Sequence, residues 1–232
     1  MKTFGIITIS YKREKVLRLF CAGIKRLRND LQMFIPVVCV GDAEHKSICD
    51  EYHIHHITQE NHPASQKWNT GVEYIKTLGL DYLIVMGSDD IMSLDLLKNL
   101  ISAMEVGYDL IGVNQIYFYG GDGKHKGQLR HLQSGKTIMG VARTISKYVF
   151  EKAHPMWRKN RSWAMDGDCL RTIKPYMRHY KIVEGDVFDI KTTDAVQLNK
   201  MTYWLSKLDT NLPPDILYNI LSQEEKDILF SL

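Results

Sequence analysis

The sequence predicts an α/β fold built on a mostly parallel central sheet flanked by helices, and three observations carry that prediction. Short β-branched runs alternate with segments of helical apolar spacing over roughly the first hundred residues. Three of those runs end in polar residues ("ISYKR", "VGDAEH", "MGSDD"), and ligands of parallel sheets collect outside the carboxyl ends of the strands. The last of these lies in "YLIVMGSDDIMS" (Tyr82–Ser93), an unbroken apolar climb that ends by presenting Asp89 and Asp90 side by side.

Taken in order, "TFGIITIS" (Thr3–Ser10) reads as a buried strand. In the following stretch Val16, Leu17, Phe20, Ile24 and Leu27 recur at helical spacing between basic residues, which predicts an amphipathic helix. "FIPVVCVG" (Phe34–Gly41) is a second strand, "EHKSICDEY" a short helix and "HIHHIT" (His53–Thr58) a third strand. A helix follows in "HPASQKWNTGVEYIKTLG", with Gly79 near its end. "DYLIVMG" is the fourth strand, and the helix after it takes Ser93 as its N-cap. "YDLIGVNQIYFY" (Tyr108–Tyr119) reads as one long fifth strand.

Beyond Tyr119 the alternation loosens. "GGDGKHKG" is a loop, either a hairpin tip or a flap over a bound substrate, and "QLRHLQSGKTIMGVARTIS" holds one or two strands. "RSWAMDGDCLRTIKPYM" enters a helix that Pro175 interrupts, and "YKIVEGDVFDIK" is strand-like. A helix over "DAVQLNKMTYWLSKL" and two short ones after it complete the chain, the last marked by a capping box at Ser222–Glu225. This organisation divides the chain into residues 1–193 and a C-terminal helical extension, 194–232.

Composition narrows the class. With 44% hydrophobic and 25% charged residues the 232-residue chain is globular, and its net charge of +3 gives no basis for dedicated nucleic-acid binding. The four cysteines form no CxxC pair and read as free thiols of a reducing compartment. No apolar run reaches membrane-spanning length and the N-terminus enters a strand directly, so the expected location is cytoplasmic.

Adjacent carboxylates at a strand end repel and need a cation, either a Lys or Arg or a divalent metal. Asp89 and Asp90 therefore read as ligands for Mg2+ or Mn2+ bound to a phosphate, against the plainer reading of a turn that caps the next helix. Lys12 and Arg13 reach the same edge, to meet a pyrophosphate or simply as the solvent face of the first helix. Asp42 is placed to accept hydrogen bonds from a base or ribose, or to cap a helix. "DGDC" sets Asp166 and Asp168 at a helix start, where one could act as a general base. His53 and His55 share a strand face without further zinc ligands, and "SGKT" lacks the phosphate-loop glycine because Arg130 stands in its place.

The order of "ISYKR", "VGDA", "NHPASQKWNTGV", "DYLIVMGSDD", "MGVARTISKYVF" and "MDGDCLRT" resembles the GT-A glycosyltransferases, closest to the inverting family-two type, over roughly residues 3–175. The resemblance implies a GT-A fold and a nucleotide-sugar donor, a UDP-sugar as first choice. It also implies a glycan or other hydroxyl acceptor and a Mn2+ or Mg2+ cofactor. It places Ser10, Tyr11, Arg13, Asp42, Lys67, Asn69, Ser88 and Asp89 around the nucleotide sugar, Asp90 with Asp89 on the metal, and Asp166 as base, with Asp168 as second choice. Two positions depart from the family pattern, Gly87 where an acid often precedes the pair and Met165 where Glu usually precedes the base. His179 and Asp189 are candidates for a third metal ligand.

Two rivals remain. A nucleotidyltransferase would use the same carboxylates but usually carries a glycine-rich loop after the first strand, which "SYKREK" lacks. A non-catalytic nucleotide-sugar-binding or scaffold module has only Gly87 in its favour. The apolar C-terminal residues Trp204, Leu205, Leu208, Ile216, Leu217, Leu221, Ile228 and Leu229 need cover. Packing back on the main domain is preferred to a homodimer or peripheral membrane contact.

Overall fold

A computed structural model of the chain describes residues 1–61, 63–158, 160–162, 164–193, 208 and 211–232. A seven-stranded sheet forms its centre. The first strands are β1 (Phe4–Ile9), β2 (Val37–Gly41), β3 (His55–Thr58) and β4 (Tyr82–Val85), followed by β5 (Asp90–Met92), β6 (Leu110–Gly112) and β7 (Gln115–Gly120). The later strands are β8 (Leu129–Gln133), β9 (Arg143–Ser146), β10 (Tyr180–Ile182), β11 (Val187–Lys191) and β12 (Asn211–Leu212). The central sheet has the order β10-β6-β9-β4-β1-β2-β3, parallel except for β9, which runs against both β4 and β6. A second, five-stranded sheet has the order β12-β8-β7-β11-β5.

Period-two alternation splits the apolar strand residues between two cores. Ile6 and Ile84 face one side with α1 (Glu14–Leu31) and α4 (Leu94–Val106). Ile7 and Val85 face the other with α3 (Ala64–Thr77). All five helix-spaced residues predicted for the first helix, Val16, Leu17, Phe20, Ile24 and Leu27, are buried in α1, each worth roughly 1.5–3 kcal/mol relative to exposure. A short helix α2 (Lys46–Glu51) precedes β3. Helices α5 (Lys147–Lys152) and α6 (Met165–Ile173) follow β9, and α6 ends one residue before a 3-10 turn that holds Pro175.

Two expectations need revision. The long fifth strand is two strands, β6 in the central sheet and β7 in the second, because the chain changes sheets at Val113–Asn114. "YKIVEGDVFDIK" divides in the same way into β10 and β11. Of the two readings of the glycine-lysine stretch, the structure forms the hairpin tip: it connects the antiparallel β7–β8 pair, with a 3-10 turn at Gly123–His125.

The expected helix over 194–208 lies outside the described residues but for Leu208, so Trp204 and Leu205 do too. The rest of the C-terminal segment, expected to be helical, forms the edge strand β12 against β8, then α7 (Asp215–Tyr218) and α8 (Gln223–Phe230), and packs back on the chain. Both halves of the predicted capping box form, and Glu225, fully buried, also accepts from Arg26 Nε of α1 at 2.8 Å. Tyr52 donates to Glu224 at 2.8 Å, and the hydroxyls of Tyr119 and Tyr218 meet at 2.9 Å. Among the described residues no helix is long and apolar enough to cross a membrane.

Candidate active site

The chain leaves the central sheet at the carboxyl end of β4, turns through Gly87 and Ser88, and joins the second sheet as β5. That passage sets Asp89 and Asp90 on the seam between the sheets. β11 runs antiparallel to β5 with Asp189 opposite Asp90, so three carboxylates converge with oxygens within 4.8 Å of one another. Asp189, one of the two candidates for a third ligand, is thus brought to the pair. His179, the other, is not: it adjoins the start of β10, whose first residue pairs with Leu110 at the start of the parallel β6, the opposite edge.

Two cations reach this cluster. Arg13 Nη1 lies 3.1 Å from Asp89 Oδ2, and Lys191 Nζ lies 2.5 Å from Asp189 Oδ2 and 3.6 Å from Asp89 Oδ2. Asp90 Oδ2 accepts the Gly87 backbone N–H at 2.5 Å, whereas Asp189 Oδ1 is buried with no hydrogen-bond partner. Burial would raise the Asp89 pKa, but Lys191 and Arg13 outweigh it and hold it at about 2. Burial first, and then the Asp189 and Asp89 charges, drive Asp90 well above the usual carboxylate range. Burial likewise pushes Asp189 up to about 7, with Asp89 adding to the rise and Lys191 opposing it.

Gly87 has a local reason. A Cβ there would sit 2.7 Å from Asp89 Oδ1 and 3.0 Å from Asp90 Oδ2, so the two carboxylates fill the space a side chain would use. Ser93 caps α4 through its hydroxyl, 3.1 Å from Leu96 N, so neither carboxylate is spent on capping that helix.

The turn after β1 forms the neighbouring wall. Lys12 and Arg13 both adopt left-handed backbone at φ 51° and 53°, a conformation that costs non-glycine residues roughly 1–2 kcal/mol each and that here aims Arg13 at Asp89. Lys67 is fully buried and donates to Ser10 O at 2.7 Å, with Asp42 Oδ1 at 3.5 Å; burial lowers its pKa against the pull of Asp42. Asp42 Oδ2 also accepts the Lys12 N–H at 3.1 Å, so its side chain braces this turn and makes no helix-cap hydrogen bond. Tyr11 is half-buried with Lys12 and Lys67 Nζ 5.2 and 5.7 Å from its ring centroid, and Ser88 is buried.

The two aspartates of "DGDC" have different surroundings. Asp168 is fully buried and is held by the Arg158 backbone N–H at 2.8 Å, by Arg158 Nε, and by Arg171 and Arg161 at 3.4 and 3.8 Å. Burial works against it, yet the Arg158 hydrogen bonds and the arginine charges keep its pKa below the usual range. Asp166 is exposed, and its carboxylate lies over Gly140, where a Cβ would stand 2.0 Å from Asp166 Cγ. Arg143 Nη1 donates to Asp166 O at 2.9 Å, and Arg143 pairs with Val85, the last residue of β4. Asp166 therefore stands at the same sheet edge as the acidic cluster. Asn69 is not part of that convergence. Its amide spans the Trp157 backbone, donating to O at 2.7 Å and accepting from N at 3.1 Å, and so fixes the segment leading to α6.

Sequence reasoning missed Lys191 and Arg143. A signal for the first exists in "FDIK": an acid and a base two apart share one face of a strand, an arrangement that favours pairing. Three hard oxygen ligands, one with an orphaned lone-pair face, fit a Mg2+- or Mn2+-type ion that completes its shell with phosphate and water.

The model of the family "Glycosyl transferase family 2" matches residues 5–169. No curated protein sequence matches the chain significantly. Among solved structures, S. aureus TarS 1-349 superposes with a TM-score of 0.56 at 14% identity, over 81% of this chain and 60% of that one. The chain therefore spans less than two thirds of that structure's length. A cytidylyltransferase from Leptospira borgpetersenii superposes with a TM-score of 0.54 at 10% identity, over 99% of this chain and 93% of that one. The bifunctional IspDF from Campylobacter jejuni gives 0.52 at 16% identity, over 91% and 55%. At these identities the superpositions establish the fold alone.

Proposed function

The chain belongs to glycosyl transferase family 2, and from that premise we propose that it is a glycosyltransferase that moves a sugar from a nucleotide-diphosphate sugar to an acceptor hydroxyl in one inverting displacement, with Mn2+ or Mg2+ held at Asp90 and Asp89. A UDP-sugar is the first donor to test and a glycan the first acceptor. The observation that carries this reading is the convergence of Asp89, Asp90 and Asp189 at the carboxyl end of β4 with an exposed carboxylate, Asp166, at the same edge.

In this mechanism Ser10, Tyr11, Asp42 and Ser88 border the nucleotide. Lys67 acts by bracing the turn, and Asn69 by fixing the loop before α6. Arg13 faces the donor side of Asp89 and offers charge to the phosphates. Asp166 accepts the proton of the acceptor hydroxyl while that oxygen attacks the anomeric carbon opposite the diphosphate. The bond from that carbon to the phosphate oxygen breaks as the new bond forms, and the nucleoside diphosphate leaves. A divalent ion, when bound, neutralises the leaving diphosphate. Asp168 is the lesser choice of base because three arginines hold its carboxylate.

The test is a thermal-shift screen of nucleoside diphosphates and their sugars, with and without Mn2+, on the protein and on Asp90→Ala. A ligand at a hundred times its dissociation constant adds about 2.7 kcal/mol. A metal-dependent shift with one nucleotide class, lost in the variant, supports the reading; no shift with any nucleotide sinks it. The cytidylyltransferase superposition supports one alternative, transfer of a nucleotidyl group. Release of pyrophosphate from a nucleoside triphosphate would favour that alternative.

A further inference from the structure

Lys191 is 6% exposed, at the end of the strand that carries Asp189. The β5–β11 ladder ends at the Asp90–Asp189 pair, and Lys191, two residues on, pairs with Gly120 of β7. Its side chain shares a face with that of Asp189. The ammonium touches Asp189 and Asp89 and lies 5.9 Å from the Phe118 ring centroid. Asp89 Oδ2 is claimed twice, by Arg13 and by Lys191. A bare divalent ion entering among the three carboxylates must contend with a buried charge of its own sign a few ångströms away, where screening is weak.

We infer that Lys191 is a resident counter-ion: it competes with a bare divalent ion for Asp89 and Asp189, and it passes to the donor's diphosphate when the nucleotide sugar arrives. The inference rests on the glycosyltransferase reading above and adds an order of events. Without donor, three carboxylates face two fixed cations, and the cluster keeps little charge to attract a third. A diphosphate brings acceptor oxygens to the Lys191 ammonium, a compact charge with three donors on a flexible stem. Its departure frees oxygens of Asp189 and Asp89 for the metal. Donor and metal then bind with positive coupling, and by linkage each tightens the other by the same factor. A diphosphate without metal would find Lys191 committed, and metal without diphosphate would find the carboxylates committed.

The experiment is calorimetric titration of Mn2+ alone into the protein and into Lys191→Met, repeated with inorganic pyrophosphate present. The expected result is at least tenfold tighter Mn2+ binding in the methionine variant without pyrophosphate. In the unaltered protein pyrophosphate should tighten Mn2+ binding by a similar factor or more, and the variant should gain less, keeping only what direct phosphate ligation of the ion supplies. Lys191→Arg retains the charge and should bind Mn2+ alone as weakly as the unaltered protein. Lys191→Gln, which can still donate to Asp189, replaces the methionine variant if that one fails to fold. Equal or weaker Mn2+ binding in the uncharged variants overturns the role of Lys191 while leaving the metal site standing. Absence of Mn2+ binding in the unaltered protein even with pyrophosphate removes the metal site, and the inference falls with it.

Discussion

Asp90 and Asp189 face each other as a directly paired couple across the β5–β11 ladder, both nearly buried. Like charges opposite one another in a sheet are destabilising, and Lys191 engages only one of the two closely. The pair is therefore costly to the metal-free fold and is relieved by a proton or by a divalent ion.

That cost has a sign in pH. The Asp189 pKa rises from the ordinary 3.8 to about 7 on folding, so between those values the folded state holds a proton that the unfolded state has released. Its contribution to stability is fully present below about pH 4 and is lost as pH rises to about 7. Asp89, held at about 2, acts in the opposite sense but only below the ordinary 3.8. Buried His45 and half-buried His56 and His154, whose pKa values desolvation lowers, oppose the trend near neutrality. The informative quantity is thus the stability of Asp189→Asn relative to the unaltered protein. It should move in favour of the variant as pH rises from 5 to about 7.5 in urea denaturation without metal. A flat difference would contradict the raised pKa.

Asp90→Asn should lower kcat/KM by on the order of a hundredfold or more while leaving the far-ultraviolet spectrum unchanged, since its charge is needed by the leaving group and not by the fold. Steady-state transfer assays at saturating Mn2+ read this directly. A variant that keeps near-normal turnover would remove Asp90 from the mechanism.

The neighbouring aspartates should separate cleanly. Asp166→Asn should cost about 10²–10⁴ in kcat with an unchanged melting temperature, because the side chain is exposed and its backbone oxygen, not its carboxylate, holds Arg143. Asp168→Asn should destabilise by roughly 2 kcal/mol, less than for a fully buried pair because Arg158 and Arg171 also reach water. Paired kinetics and thermal melts distinguish the two, and the reverse pattern would move the base to Asp168.

Glu225→Ala should destabilise by about 2 kcal/mol in denaturant titration, since it removes the Nε partner of the Arg26 side chain, only 9% exposed and left with Asp30 and Met92 O, and dissolves the capping box. An effect under about 0.5 kcal/mol, the usual size for an unremarkable surface position, would mean that α8 does not hold α1 through this pair.

Much of the central sheet was legible because β1, β2 and β4 are short apolar runs bounded by polar turns, and α1 shows its buried stripe at regular spacing. The changes of sheet were not. An apolar run such as "YDLIGVNQIYFY" has the same alternation whether its halves lie in one sheet or two, and only tertiary packing separates β6 from β7. At the site, Asp89 and Asp90 announced themselves by adjacency. Asp189 and Lys191 sit about a hundred residues later in an ordinary strand, and they become partners of the pair only through the β5–β11 register. Asn69 and Lys67 entered through the family resemblance, which sets them beside the nucleotide, and their polar atoms are engaged by Trp157 and by the Ser10 turn.

The place of β11 in the second sheet has a consequence for biosynthesis. It lies between β7 and β5 and is the strand to which β5 is joined. A growing polypeptide that has not yet yielded residue 191 carries Asp89 and Asp90 on a three-residue strand with nothing in the second sheet to hold it. Such a fragment lacks the Asp189 carboxylate and the one strand that β5 pairs with, so the three-carboxylate cluster assembles only after the strand bearing Asp189 and Lys191 is in place.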